Sequence, residues 1–141
     1  MKRRLPLILL VLTTLAAILF CALWQGALRD HSDLVTLARS GAAEVCTRFS
    51  DFRSNGDDGD YWGGVAAFRT FQQVCALLPE GGSDDRAVCS TIYGELLLHP
   101  DRAKTYLPEI IAIMEPLAQD PTDPAARLRL YELRSLLQDP A

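Results

Sequence analysis

The chain has 141 residues, of which 49% are hydrophobic and 23% are charged. This length suits one modest domain, so it excludes a dehydrogenase-sized fold, a β/α barrel and a multidomain enzyme. The net charge of −4 and the isoelectric point of about 5.1 argue against a protein that binds nucleic acid.

The first predicted element is a membrane-spanning helix. The run Leu5–Leu28 contains no charged residue, and the next charge along the chain is Arg29. Twenty apolar residues in a helix extend ~30 Å, which is the thickness of the hydrocarbon core of a bilayer. The sequence therefore predicts a single transmembrane helix that holds the chain in the lipid bilayer.

The orientation of this helix follows from the basic residues that precede it, Lys2, Arg3 and Arg4. Positive charge is retained on the cytoplasmic side, so the N-terminus is predicted inside and the remainder of the chain outside. This divides the chain into residues 1–28, a cytoplasmic basic tip with a signal-anchor helix, and residues 29–141, an extracytoplasmic domain. The predicted location is the cytoplasmic membrane, crossed once.

Two other interpretations of the N-terminal segment compete with an uncleaved anchor. A cleaved signal peptide requires small residues in an A-x-A-like pattern, and the best matches, at residues 20–22 and 25–27, each have a poor residue three positions before the cut. A lipoprotein signal would modify Cys21, but the bulky Phe20 stands where such a signal needs Gly, Ala or Ser. The sequence therefore favours the anchor.

Beyond the span, the apolar residues recur at helical spacing, which predicts an all-α domain. We expect about five helices in a helical-hairpin arrangement: from Leu34 to Phe52, from Tyr61 to Leu78, from Ser83 to about Leu97, from Pro108 to about Pro116, and from Pro124 to Gln138. No strong breaker separates the first of them from the span, so one long helix is compatible with the sequence. Gly94 lies inside the third helix, at a close helix crossing or at a tolerant surface position.

Two of the four cysteines form a predicted disulfide. Cys75 and Cys89 are nearly equidistant from the turn Pro79–Ser83, so an antiparallel hairpin places them opposite one another. A bond closing this ~15-residue loop would stabilise the fold by ~3 kcal/mol in the chain-entropy model. The alternative is a pair of buried thiols. Cys46 lies on an apolar helical stripe and is predicted to belong to the core.

The sequence supports neither a metal site nor a catalytic site. The oxygen-rich loop Asp51–Asp60 does not fit a calcium-binding EF-hand, because Arg53 and Trp62 fall where ligands are required. The two histidines, His31 and His99, have no partner at zinc-ligand spacing. No nucleophile elbow, phosphate loop or dinucleotide motif is present, so we predict no enzyme activity, no metal and no cofactor.

An aromatic cluster on the second helix suggests a binding surface. Tyr61, Trp62, Phe68 and Phe71 cover more than one face of that helix, so Trp62 could remain exposed as an interface anchor. The predicted function is thus a membrane-tethered, non-enzymatic protein–protein interaction or scaffold module with an unidentified protein partner. One alternative is a thiol-based redox or sensing component that uses Cys75 and Cys89. Another is a secreted helical protein with a cleaved leader.

Overall fold

The computed structural model describes the backbone of residues 4–78 and 83–138, and the side chains of residues 20, 30–78 and 84–138. Within these residues the chain forms helices and no strand, so the all-α prediction is confirmed. The helices are α1 (Arg4–Asn55), α2 (Asp58–Cys75), α3 (Ser83–Leu98), α4 (Pro100–Thr105), α5 (Leu107–Gln119) and α6 (Pro124–Gln138).

The chain divides into two compact units, Met1–Asp33 and Leu34–Ala141, and the division falls within α1. Among the described residues, no helix combines the length and the apolar character that a membrane crossing requires. The predicted span Leu5–Leu28 lies, apart from Phe20, outside the described side chains, as do the basic residues 2–4. The span and its orientation therefore stay predictions.

The second unit is built around one main apolar core, to which each of the six helices contributes. Its largest fully buried side chains are Phe49, Tyr61, Phe68, Phe71, Ile92, Leu96, Leu107, Ile110, Met114, Leu117, Leu133 and Leu137. Each aromatic or branched side chain of this size stabilises the fold by about 1.5–3 kcal/mol when it leaves water. A smaller cluster of Ala38, Val74 and Leu78 joins α1 to the end of α2.

Glycines allow α1 and α2 to pack very closely. A Cβ atom added to Gly64 would lie 2.3 Å from a ring carbon of Phe49, and one added to Gly41 would lie 3.3 Å from the Cα atom of Phe71. No atom lies within 4 Å of the corresponding position at Gly94. The close crossing therefore occurs at Gly64, and Gly94 is the tolerant surface position that was the alternative.

The turn between α1 and α2 is shorter than predicted, since the first two predicted helices leave residues 53–60 between them. It consists of Gly56 and Asp57. Gly56 ends α1, because it adopts a positive φ of 71° and its N–H donates to the carbonyl of Phe52 at 2.7 Å. Glycine is favoured in this conformation, which commonly ends a helix. The side chain of Asp57 then accepts from the N–H of Gly59 at 3.0 Å and caps α2.

The fourth predicted helix differs from the structure at both ends. The short helix α4 precedes it, with Pro100 in the first turn, where a missing N–H is tolerated. At the other end, Pro116 lies inside α5, which continues to Gln119. Proline cannot donate to the carbonyl of Ala112, and Arg129 of α6 donates to that oxygen instead, at 3.3 Å. This bond from another helix helps to explain why α5 does not end at the proline.

Candidate functional site

Cys75 and Cys89 line one cavity in the second unit. The free space in it is about 20 Å³, which is room for one water molecule. Its other lining residues are Phe71, Asp85, Leu117, Pro121, Arg127 and Leu130. The structure thus brings together the two cysteines that the sequence pairs, and because both are free thiols here, the disulfide stays a prediction.

The hairpin of α2 and α3 sets the positions of these cysteines. Cys75 is the last residue of α2, and Cys89 lies in the second turn of α3. Closer to the turn than the two cysteines, the guanidinium of Arg86 donates to the carbonyl of Ala76 at 3.0 Å. This bond joins the end of α2 to the beginning of α3.

A polar network borders the cavity. Arg127 forms an ion pair with Asp85 at 3.1 Å, with only 15% and 22% of the two side chains exposed. The Nε atom of Arg127 donates to the carbonyl of Pro121 at 3.1 Å, and the Tyr131 hydroxyl donates to Asp85 at 2.7 Å. The network therefore fixes α6 to the first turn of α3.

Sequence reasoning missed this network. Asp85 is separated from Arg127 by 42 residues and from Tyr131 by 46. Charged and phenolic residues on exposed-looking helix faces carry no local signal that they pair across such distances. The one available hint is that Arg127 and Tyr131 lie four residues apart in α6, about one helical turn, and so share one face of the helix.

Burial lowers the reactivity of the thiols of the second unit. It raises the pKa of Cys75 and of Cys89 to about 12, with nearby Asp85 adding to this and Arg127 opposing it. Burial likewise raises the pKa of Cys46 to about 11. Since the thiolate is the nucleophile, these thiols attack other groups slowly at neutral pH. Cys46 packs against the main core, where the sequence predicted that it belongs.

The acidic side chains of the α1–α2 region take part in local structure. Asp58 pairs with Lys104 at 2.9 Å, and Asp60 pairs with Arg48 at 3.3 Å. Asp60 also accepts from the amide of Asn55 at 2.8 Å. In the described part of the chain, no three His, Cys, Asp or Glu residues are grouped so that they could hold a metal ion.

Trp62 lies at the surface of α2, and 45% of it is exposed. Its ring packs edge-on against the ring of Tyr61 at 5.2 Å between centroids. Tyr61 is itself buried and donates to the carbonyl of Leu96 at 2.7 Å. The ammonium of Lys104 lies 5.1 Å from the centre of the Tyr61 ring. The exposed indole of Trp62 therefore packs on Tyr61, whose own position is fixed by burial and by its hydrogen bond.

The exposed face of α2 carries little charge. Its exposed positions between Trp62 and the turn after the helix are Trp62, Ala66, Arg69, Thr70, Gln73 and Leu77. Arg69 is the one charged residue among them, and Leu77 is 63% exposed. Beside this face, Ala67 and Thr70 form one side of a shallow groove of about 270 Å³, and Ser40, Gly41 and Glu44 of α1 form the other. We call the exposed positions and this groove the α2 face.

Comparison with known proteins identifies no relative. No protein family matches the chain, and no curated protein or solved structure matches it.

Proposed function

We propose that this protein is a membrane-tethered, non-enzymatic interaction module whose second unit binds another protein on the outer face of the cytoplasmic membrane. The observation that carries the proposal is the α2 face, where an exposed tryptophan and an exposed leucine lie on α2 with Arg69 as the one charged residue among the exposed positions from Trp62 to Leu77. The class of protein is thus a single-pass anchored helical adaptor.

The tether is supported by the amino-acid sequence of the first unit. The uncharged run Leu5–Leu28 is long enough to span a bilayer, and three basic residues precede it. Residues 29–141 carry eleven basic and eighteen acidic side chains, a net charge of −7. A domain of this charge is repelled by anionic lipid headgroups, which favours a protein partner for it over the membrane surface.

The interaction surface is supported by the chemistry of Trp62. Tryptophan is enriched among the residues that contribute most to binding free energy in protein interfaces. Because the ring of Trp62 already rests on Tyr61, it loses little rotational freedom when a partner covers it. Charged side chains are depleted at the centre of interfaces, and Arg69 is the one charged residue among the exposed positions of α2 from Trp62 to Leu77.

The buried thiols favour this proposal over the redox alternative. A redox-active cysteine needs a lowered pKa and access to its substrate. The pKa values of Cys75 and Cys89 are raised to about 12, and only 3% of Cys89 is exposed. The pair is thus better suited to a structural role than to turnover.

The tether predicts that the full-length chain resists extraction from membranes. After an alkaline carbonate wash we expect it in the membrane pellet, because each charged residue placed at the centre of a span costs ~3 kcal/mol and this span has none. The variant Leu15→Arg/Ile18→Arg should move to the supernatant. Protease added to spheroplasts should degrade the second unit. Recovery of wild-type protein in the wash, with a new N-terminus after residue 20, would instead establish the secreted alternative.

The interaction surface predicts a cross-link at position 62. A photoreactive amino acid placed at Trp62 or at Leu77 should give one adduct of defined mass in native membranes. The matched control is Leu128 on α6, which is 63% exposed and lies outside the α2 face. Trp62→Ala should abolish the adduct formed from position 77 while leaving the circular dichroism spectrum unchanged. Equal adducts from positions 62 and 128, or none from either α2 position, would contradict the proposal.

A further inference from the structure

We propose that Cys75 and Cys89 form an oxidation site that a disulfide reagent converts, in two ordered steps, into an intramolecular Cys75–Cys89 bond. The class of oxidant is a disulfide, either a small molecule such as oxidised glutathione or an oxidised protein dithiol. This inference does not depend on the membrane tether or on the α2 face, because the site lies wholly within the second unit.

The register of the α2–α3 hairpin carries the inference. The Arg86–Ala76 hydrogen bond, at 3.0 Å, joins the residue after Cys75 to the residue three positions before Cys89. Both cysteines then line the same cavity of about 20 Å³, so their side chains border one small space. The negative charge of a Cys75 thiolate also contributes to raising the pKa of Cys89, which places the two groups within electrostatic reach.

The difference in exposure between the thiols sets the order of reaction. Cys75 is half-buried, whereas Cys89 is 3% exposed. The Cys75 thiolate attacks one sulfur of the oxidant, which forms a mixed disulfide and releases one thiol. Cys89 then loses its proton to solvent, and its thiolate attacks the sulfur of Cys75 and displaces the second thiol. In total, the protein loses two protons and two electrons, and the disulfide oxidant is reduced to two thiols.

The charges that face the cavity control the rate of the first step. Asp85 disfavours the thiolate of Cys75 and Arg127 favours it, and both residues line the cavity. Because exchange proceeds through the thiolate, removal of the Asp85 charge should accelerate the reaction, and removal of the Arg127 charge should slow it. We therefore expect the Cys75–Cys89 bond to form slowly and to serve as a structural link.

The test uses the purified full-length chain, first reduced and then incubated with oxidised glutathione. We expect peptide mapping without reductant to find Cys75 linked to Cys89, and the midpoint of thermal unfolding to rise by roughly 10 °C. In Cys89→Ala, glutathione should remain attached to Cys75. In Cys75→Ala, Cys89 should stay unmodified until the protein is unfolded in urea. Asp85→Asn should form the bond several-fold faster than wild type, whereas Tyr131→Phe, which keeps the charge, should not.

Cys46→Ala is the matched control, because this cysteine lies on α1 and should not affect the bond. Free Cys75 and Cys89 after prolonged oxidation, a link from either one to Cys46, or equal modification of Cys89 in folded Cys75→Ala would each overturn the inference. Circular dichroism of every variant before oxidation separates a loss of the bond from a loss of the fold. These outcomes do not depend on whether a protein partner binds the α2 face.

Discussion

The variant Gly64→Ala is expected to unfold at a markedly lower denaturant concentration than the wild type, with a loss of about 2–3 kcal/mol in the free energy of unfolding. The new methyl group would lie 2.3 and 2.4 Å from two carbons of the Phe49 ring, and Cβ atoms do not approach other atoms that closely. Phe49 is fully buried and packs against Tyr61 at 5.9 Å between ring centroids, so its ring has little room to move. The measurement is urea unfolding of the full-length chain in mild detergent, followed by circular dichroism.

Gly94→Ala is the matched control for this substitution. Nothing lies within 4 Å of the added methyl group, so the gain in helix propensity should stabilise the protein by ~0.5–1 kcal/mol. The double variant Gly64→Ala/Phe49→Leu should be more stable than the sum of its single changes, by at least about 1 kcal/mol, because the smaller side chain makes room for the methyl group. Equal stability of Gly64→Ala and Gly94→Ala would contradict the close packing of α1 and α2.

The second large effect is expected at the ion pair that joins α6 to α3. Arg127→Met should destabilise the protein by about 2–3 kcal/mol, somewhat less than the loss of a fully buried partner, because the two side chains are 15% and 22% exposed. The change leaves the carboxylate of Asp85 facing a largely apolar cavity, with the Tyr131 hydroxyl remaining as its donor. It also removes the donor to the Pro121 carbonyl. Urea unfolding at neutral pH measures the loss.

A double-mutant cycle identifies the cause of this effect. Asp85→Asn removes the charge that Arg127→Met would strand, so the double variant should recover at least about 1 kcal/mol relative to the sum of the single changes. Arg134→Met on the same helix is the control, because the Nε of Arg134 donates to the neighbouring side chain of Gln138, and it should change stability by less than about 0.5 kcal/mol. If the losses of stability in the two single variants simply add in the double variant, the ion pair does not contribute to stability in this way.

Much of the secondary structure could be predicted because its signals are local. The apolar spacing of α2 and α3 and the Pro124 that begins α6 lie within a few residues of the features they determine. The boundaries were less predictable. Residues 53–60 separate the first two predicted helices, but the observed turn has two residues because one left-handed glycine, Gly56, suffices to end α1. Similarly, α5 continues past Pro116, where Arg129 of another helix satisfies the carbonyl that the proline leaves without a donor.

The candidate sites show the same division. That Cys75 and Cys89 lie beside the same cavity could be inferred from their nearly equal distances to one turn, which is a property of the sequence. The surroundings of the pair could not, because Asp85 and Arg127 meet across 42 residues. Trp62 lies on a helix with apolar residues on several faces, so only the packing of α1 and α3 against that helix decides that it is exposed.

The amino-acid sequence by itself determined the helical class, most helix positions, the uncharged N-terminal run and the register of the cysteines, because periodicity, capping and turn chemistry act over a few residues. The tertiary structure alone decided which glycine lies at the helix crossing, which charges are paired and which aromatic side chain faces solvent. These features depend on which faces of distant segments meet, and that is set by the packing of the whole core.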